Sequence, residues 1–391
     1  MSGPPDDRSG PVLVGGRRTA IGTAGHAFRD NDVIELAAPV LAAVADQVGV
    51  LDLPIDDVIL GNCLGPGGNV ARVAGLAAGL GDAVPGVTVD RQCGSGLEAV
   101  LQAAIRVRAG DAELLLAGGV ESASTAPWRY WPPTATTAPT RYSRAPFAPA
   151  GFPDPEMGEA ADDLSKVLGI SRDRQDDYAA RSHRLTWQAA QAGRYDREIV
   201  VVHDVSRDER PRPGMTIQRL GRLPPSFGTD GTATAGNSCG ISDGAAAVAV
   251  TTEQAAVAAG LPYLRIVATA VAAARPDLPG LGPSPAVRRL LAVPAVRARG
   301  IGLADIGAVE ITEAFASVVL AVMDDLGLNV DLVCTDGGAI GLGHPWGASG
   351  AILLIRLAAR MLAPTGPAVG LATCAIGGGQ GLAMLLERPV D

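Results

Sequence analysis

The sequence predicts an α/β fold of two similar halves, about 1–120 and 230–391, separated by a loop-rich insertion. Three observations lead there. Strand-like and helix-like stretches alternate through both halves, the pattern of a largely parallel sheet covered by helices. Residues 123–155 break the alternation, with Pro127, Pro132, Pro133, Pro139, Pro146, Pro149, Pro153 and Pro155 set among Trp128, Tyr130, Trp131, Tyr142, Phe147 and Phe152. A flexible linker would rarely be so aromatic, so this is read as an ordered excursion packed over something. Finally, Gly is abundant while aromatics make up only 4% of the chain, which favours a core in which backbones approach closely.

The elements follow in order. Strand-like runs at 12–14, 58–60, 86–90 and 113–117 alternate with helical spacing at 33–48, 71–80 and 95–109. In 95–109 the apolar face is Leu97, Val100, Leu101, Ala104 and Ile105. Beyond the excursion, Ser171 is a plausible N-cap for a helix over 171–192. A second Pro/Arg-rich loop covers 206–230. The alternation then resumes with strands at 244–251, 308–312, 368–374 and 382–386 and helices at 314–326 and 348–362. No clean sequence repeat is visible, so duplication rests on the order of elements alone.

Composition narrows the function. A net charge of −9 argues against a nucleic-acid surface, and the basic residues are nearly all Arg, with Lys166 the sole lysine. The N-terminal MSGPPDDRSGP has no secretory pattern and no later run is an apolar span of membrane length, so a cytoplasmic protein without membrane contact is expected. Cys63, Cys93, Cys239, Cys334 and Cys374 are scattered, odd in number and free of any CxxC pair, which favours free thiols over disulfides or a metal site.

Two residues carry candidate chemistry. Cys93 stands between the strand at 86–90 and the helix at 95–109, where a helix N-terminus favours a thiolate. Gly94 and Gly96 would let an acyl group approach the sulfur and nearby N–H groups. The competing account is a small buried cysteine beside a tight turn. His344 is framed by glycines in DGGAIGLGHPWGASG, and Pro345 biases it toward an extended backbone; alone, it could equally be a satisfied structural histidine. The final stretch TCAIGGGQG lacks the following helix and Lys-Ser/Thr of a phosphate loop.

Taken together, QCGSGLEAV around Cys93, GGAIGLGHPWGASGA around His344 and GLATCAIGGGQGLAM near the C-terminus resemble the thiolase family of acyl-CoA acetyltransferases and β-ketoacyl-CoA thiolases. RTAIG at 18–22, VILGN at 58–62, AGGVES at 117–122, GTATAGNSCGISDGAAA at 231–247 and EAFAS at 313–317 extend the likeness, in the family's order, over the whole chain. The resemblance implies a duplicated α/β/α/β/α core: an N-terminal half at 1–122, a loop domain at 123–230 over the active site, and a C-terminal half at 231–391. It further implies acylation of Cys93, proton transfer by His344, and an oxyanion site made by the N–H groups of Cys93 and Gly377. Met157, Cys239 and Phe315 would touch the substrate, an acyl-CoA or acyl-carrier thioester. No permanently bound cofactor or metal is expected, and the assembly would be a homodimer or homotetramer.

The chain departs from the family at several positions. The family's second cysteine falls on Ala375, with Cys374 one residue early, and in an extended strand that slip aims Cys374 to the opposite face unless a bulge intervenes. The family asparagine before Glu-Ala-Phe falls on Thr312, whose hydroxyl could still hold a water. Glu156 stands for a histidine, Cys239 for a serine and Pro224 for an arginine. Three readings therefore stay open: a thiolase performing Claisen condensation or thiolysis through Cys93; a divergent acyltransferase passing the acyl group to another acceptor; and a non-catalytic partner subunit.

Overall fold

The computed structural model describes residues 10–389; the opening residues used above for the leader argument lie largely outside them. The principal strands are β1 (Pro11–Thr19), β2 (Asp57–Gly61), β3 (Gly86–Val89), β4 (Leu114–Glu121), β5 (Ser242–Thr252), β6 (Tyr263–Ala273), β7 (Ala308–Ile311), β8 (Val369–Ile376) and β9 (Gln380–Glu387). The principal helices are α1 (Val33–Val48), α2 (Val70–Ala77), α3 (Ser95–Arg108), α4 (Met157–Leu168), α5 (Arg172–Gln191), α6 (Pro283–Leu291), α7 (Ala316–Leu326) and α8 (Trp346–Met361).

The duplication inferred from element order is present in the topology. The first half runs β3–β2–β4–β5–β1 across the sheet, and the second runs β7–β8–β9–β6. Beyond β7, Val333 bridges Val309 in parallel, at the place β3 holds in the first half. Antiparallel pairing of β1 with β6, Val12 opposite Arg265, makes the sheet continuous between halves. Helices α3 and α8 fill a central layer whose apolar side chains meet strands of both halves, among them Leu13, Ile59, Leu115, Val248, Leu382 and Met384. Helices α1 and α2 cover the outer face of the first half, and α6 and α7 that of the second. This is the layered α/β/α/β/α core.

Two expectations need correction. The sheet is mixed, not largely parallel: β2–β3, β2–β4 and β7–β8 are parallel, whereas β5 and β9 each pair antiparallel on both sides. The reason is local to each connection. Only three residues, Gly377 to Gly379, separate β8 from β9, too few for a helical crossover. The expected boundary at 231 also shifts, because β5 hydrogen-bonds between β1 and β4 and so completes the first half; the second half begins with β6. Strand β6 itself, and helices α4 and α6, were not anticipated. The loop domain accordingly contains α4 and α5 besides its irregular stretches.

Helix α1 is capped by Asp32, whose side chain accepts from Ile34 N–H and Glu35 N–H while Glu35 returns a bond to the Asp32 N–H. With the following turn it reaches 19 residues at mean hydropathy 1.6, apolar enough to cross a membrane by length and composition. Its apolar face is buried against the first half's strands through Leu36, Val40, Leu41 and Val44, so packing accounts for that composition.

Candidate active site

Glycines let the two central helices meet at their first turns. A Cβ on Gly96 of α3 would fall 2.6 Å from the Gly347 carbonyl oxygen of α8, and one on Gly350 would fall 2.1 Å from the Leu97 nitrogen. No other residue type allows that approach. Cys93 lies two residues before α3 and His344 two residues before α8, so this contact brings the two candidate residues to one place. The third segment arrives through Ile376: its Cδ1 would be 2.5 Å from a Cβ on Gly94. The three glycine-framed stretches singled out in the sequence therefore converge.

Cys93 is held by a tight turn. Gln92 has φ of 48°, a left-handed conformation uncommon outside glycine, and its carbonyl accepts from Ser95 N–H at 3.0 Å and Ser95 Oγ at 2.7 Å. Cys63 Sγ donates to the same carbonyl at 3.2 Å. The sequence-based expectation of a thiolate at rest is not met. Burial pushes the Cys93 thiol well above its ordinary range, and the nearby Cys374 and Cys239 thiols add to the shift. Desolvation outweighs the helix N-terminus, so attack by this sulfur requires an acceptor for its proton.

His344 is built to be that acceptor. It is 1% exposed, and burial lowers it to about 4, so the ring is neutral near pH 7. Its backbone N–H donates to Ser242 Oγ at 3.1 Å and Gly240 O at 3.3 Å. Ser349 Oγ lies 3.0 Å from Pro345 O and 2.6 Å from His344 Nδ1; with its one proton assigned to the carbonyl it accepts from His344 Nδ1–H. That assigns the proton to Nδ1 and leaves Nε2, which has no hydrogen-bond partner among the described residues, with its lone pair free. Ser349 lay in the quoted motif, yet nothing in the sequence marked it as the group that sets the tautomer.

Cys374 lies near enough to Cys93 to act on its thiol but is enclosed in the core. Register between β8 and β9 is unbroken from Val369 opposite Glu387 to Ile376 opposite Gln380, so no bulge rescues it. Cys374 is fully buried in the central core with Leu97, Leu382 and Ile376, whereas Ala375 turns to the other face with Phe315. The slip of one residue thus has the predicted consequence. Thr312 Oγ1 has no protein partner and lines a cavity of about 30 Å³ with Glu310, Ser349 and Arg356, room for about one or two water molecules. This cavity adjoins Ser349, whose hydroxyl contacts His344 Nδ1 at 2.6 Å.

The remaining candidates form an apolar wall. Met157 opens α4; the next residue, Gly158, leaves space for the Phe227 ring, which meets Phe315 edge-on at 5.9 Å. Cys239 N–H donates to Ala314 O at 2.9 Å beside that wall, and Ser238 bridges to Phe315. Gly377 opens the β8–β9 turn beneath Phe147: a Cβ there would lie 2.6 Å from the ring. Phe147 stood among the aromatics of 123–155 without any signal of its place, and Phe227, in the 206–230 loop, was missed by the sequence reading. Glu156 is tied to Arg144 at 3.3 Å, in a cluster with Asp154 that backs Phe147. Buried Glu121 joins strand to helix, with Oε1 accepting from Asn62 Nδ2 and Leu64 N–H and Oε2 from Cys63 N–H and Gly347 N–H.

Comparison with known proteins agrees with this geometry. Residues 11–254 match the thiolase N-terminal domain and residues 261–388 the thiolase C-terminal domain, the division falling between β5 and β6. The chain is 40% identical to an acetyl-CoA acetyltransferase of Escherichia coli K12, over 96% of this chain and 98% of that one. It is 42% identical to a β-ketoadipyl-CoA thiolase of Escherichia coli at the same coverage. The crystal structure of the Bacillus anthracis acetyl-CoA acetyltransferase superposes with a TM-score of 0.88 at 35% identity, covering 97% of this chain and 99% of that one. The chain belongs to the thiolase family, and its chemistry is thiolase-type acyl transfer, by Claisen condensation or thiolysis.

Proposed function

We propose that this protein carries acyl groups on Cys93 and that His344 Nε2 moves the proton of that sulfur. The observation that supports it is the meeting of α3 and α8 at Gly96 and Gly350, two helices that begin two residues after Cys93 and His344, with His344 Nδ1 in contact with Ser349. Transfer of the thiol proton to Nε2 as the sulfur attacks a thioester avoids a free thiolate in a buried site. Charge then develops on the thioester oxygen, within reach of the Cys93 and Gly377 N–H groups in this reading. Met157, Phe227 and Phe315 line the approach of an acyl-CoA, the substrate class in the relatives' names.

The same proposal includes assembly as a homodimer or homotetramer. Strand β3 is a sheet edge with Val87 39% exposed, and apolar edges are normally covered. Sedimentation at micromolar concentration decides this point, and a monomer would contradict it. For the chemistry, CoA-dependent cleavage of acetoacetyl-CoA is expected from the purified protein and should vanish in Cys93→Ser. Equal cleavage by that variant would overturn the assignment.

A further inference from the structure

Carbon–carbon bond formation requires a group that removes a proton from the α-carbon of the second thioester, and the proposed roles of Cys93 and His344 leave that step without a base. The ionisable groups close enough to act on Cys93 electrostatically include Cys374, Cys239, Glu121 and Cys63, whose thiol donates to the Gln92 carbonyl at 3.2 Å. Glu121 has both carboxylate oxygens engaged by N–H donors. Cys374 is sealed in the central core on the face opposite Ala375. Cys239 remains, and its surroundings fit the task.

We infer that Cys239 is the thiol that takes and returns the α-proton; this rests on the Cys93 reading above. Three contacts place it. Its own N–H donates to Ala314 O, its predecessor Ser238 bridges to Phe315, and its successor Gly240 accepts from the His344 N–H at 3.3 Å. Cys239 is thus strung between the substrate wall and the His344 segment. As a residue it is half-buried, whereas Cys374 is fully buried.

A cation attends it. The Arg210 guanidinium lies against Gly240, where a Cβ would be 2.0 Å from Nη1; its Nε has no protein partner and its Nη2 reaches only Ile340 O, at 3.5 Å. Burial pushes the Cys239 thiol up to about 12, and Arg210 is the first opposing influence, favouring the thiolate. Among the described residues no carboxylate bonds Arg210, which leaves its charge available to a thiolate.

The proton accounting closes. In acylation the Cys93 proton moves to His344, the sulfur displaces CoA from the first acyl-CoA, and the departing CoA thiolate takes the Cys239 proton. The Cys239 thiolate then removes the α-proton of the second acyl-CoA. The resulting enolate attacks the Cys93 thioester carbonyl, and the Cys93–carbonyl bond breaks. The released sulfur recovers its proton from His344, and both thiols end protonated as they began.

The experiment compares wild type, Cys239→Ala and Cys374→Ala in three readouts: acylation of Cys93 by acetyl-CoA, condensation, and exchange of acetyl-CoA methyl protons with deuterated water. Cys239→Ala should still acylate Cys93 to completion, the departing CoA thiolate taking its proton from water, but lose ~10²–10⁴ in exchange and condensation. Cys374→Ala should keep all three. Adding Ala375→Cys to Cys239→Ala, which supplies a thiol on the Phe315 face, should restore exchange. Exchange retained in Cys239→Ala, or lost in Cys374→Ala with acylation intact, overturns the inference. Absence of Cys93 acylation in wild type is a separate result that overturns the underlying reading as well.

Discussion

Replacing Ser349 with alanine tests how the histidine is poised. The Ser349 hydroxyl accepts from His344 Nδ1–H at 2.6 Å, and the ring is almost wholly buried. Removing the acceptor strands that N–H in an enclosed site, at a cost of about 1–3 kcal/mol. The protein can avoid the cost by moving the proton to Nε2, which abolishes the base. Either way the acylation barrier rises by a similar amount, about 5- to 150-fold in rate at ~1.4 kcal/mol per decade. The assay is rapid mixing with acetyl-CoA, reading CoA release in the first turnover. Nitrogen chemical shifts of labelled His344 supply a signature that a merely structural role would leave unchanged: Nδ1 protonated in wild type, mixed or Nε2-protonated in the variant. An unchanged first-turnover rate, or an Nε2-protonated ring in wild type, would refute the reasoning.

Two further outcomes concern stability. Gly350→Ala should cost at least about 2 kcal/mol by urea unfolding and slow acylation, because the added Cβ would meet the Leu97 nitrogen at 2.1 Å and force the two helices apart; wild-type stability would contradict the close-approach argument. His183, buried with Nε2 donating to Gly236 O at 2.9 Å, is lowered from 6.5 to about 4. Between those values the unfolded state binds the proton and the folded state does not, so its stabilising effect is lost as pH falls from 6.5 toward 4, by up to ~1.4 kcal/mol per unit. Burial lifts Glu121 to about 7, which acts in the opposite sense as pH rises, so the slope is best read as the difference between wild type and His183→Gln, in which Glu121 cancels. A difference independent of pH would count against the buried neutral ring.

Much of this site was legible because glycine patterns are local. The glycine frame of Cys93 was read as room for an acyl group; the structure uses Gly96, with Gly350 beyond His344, for the close approach of two helices, and Gly377 to admit the Phe147 ring. The strict two-residue period of a strand likewise made the displacement of Cys374 readable from the sequence. What the sequence obscured was long-range. That β5 belongs to the first half depends on pairing with β1 and β4 across the insertion, which no local pattern encodes. The expected thiolate failed because helix-terminus electrostatics can be read from spacing, whereas the opposing desolvation depends on what packs around the sulfur. The roles of Ser349, Phe147, Phe227 and Arg210 arise from contacts between distant segments or from a single rotamer.

The most direct test of the account is the intact mass of the protein after brief exposure to acetyl-CoA without a condensation partner in excess. An increase of one acetyl group, mapped to Cys93 by peptide analysis and absent in Cys93→Ser, is the predicted result. An unmodified wild-type protein, or an acetyl group that persists in Cys93→Ser, would contradict it.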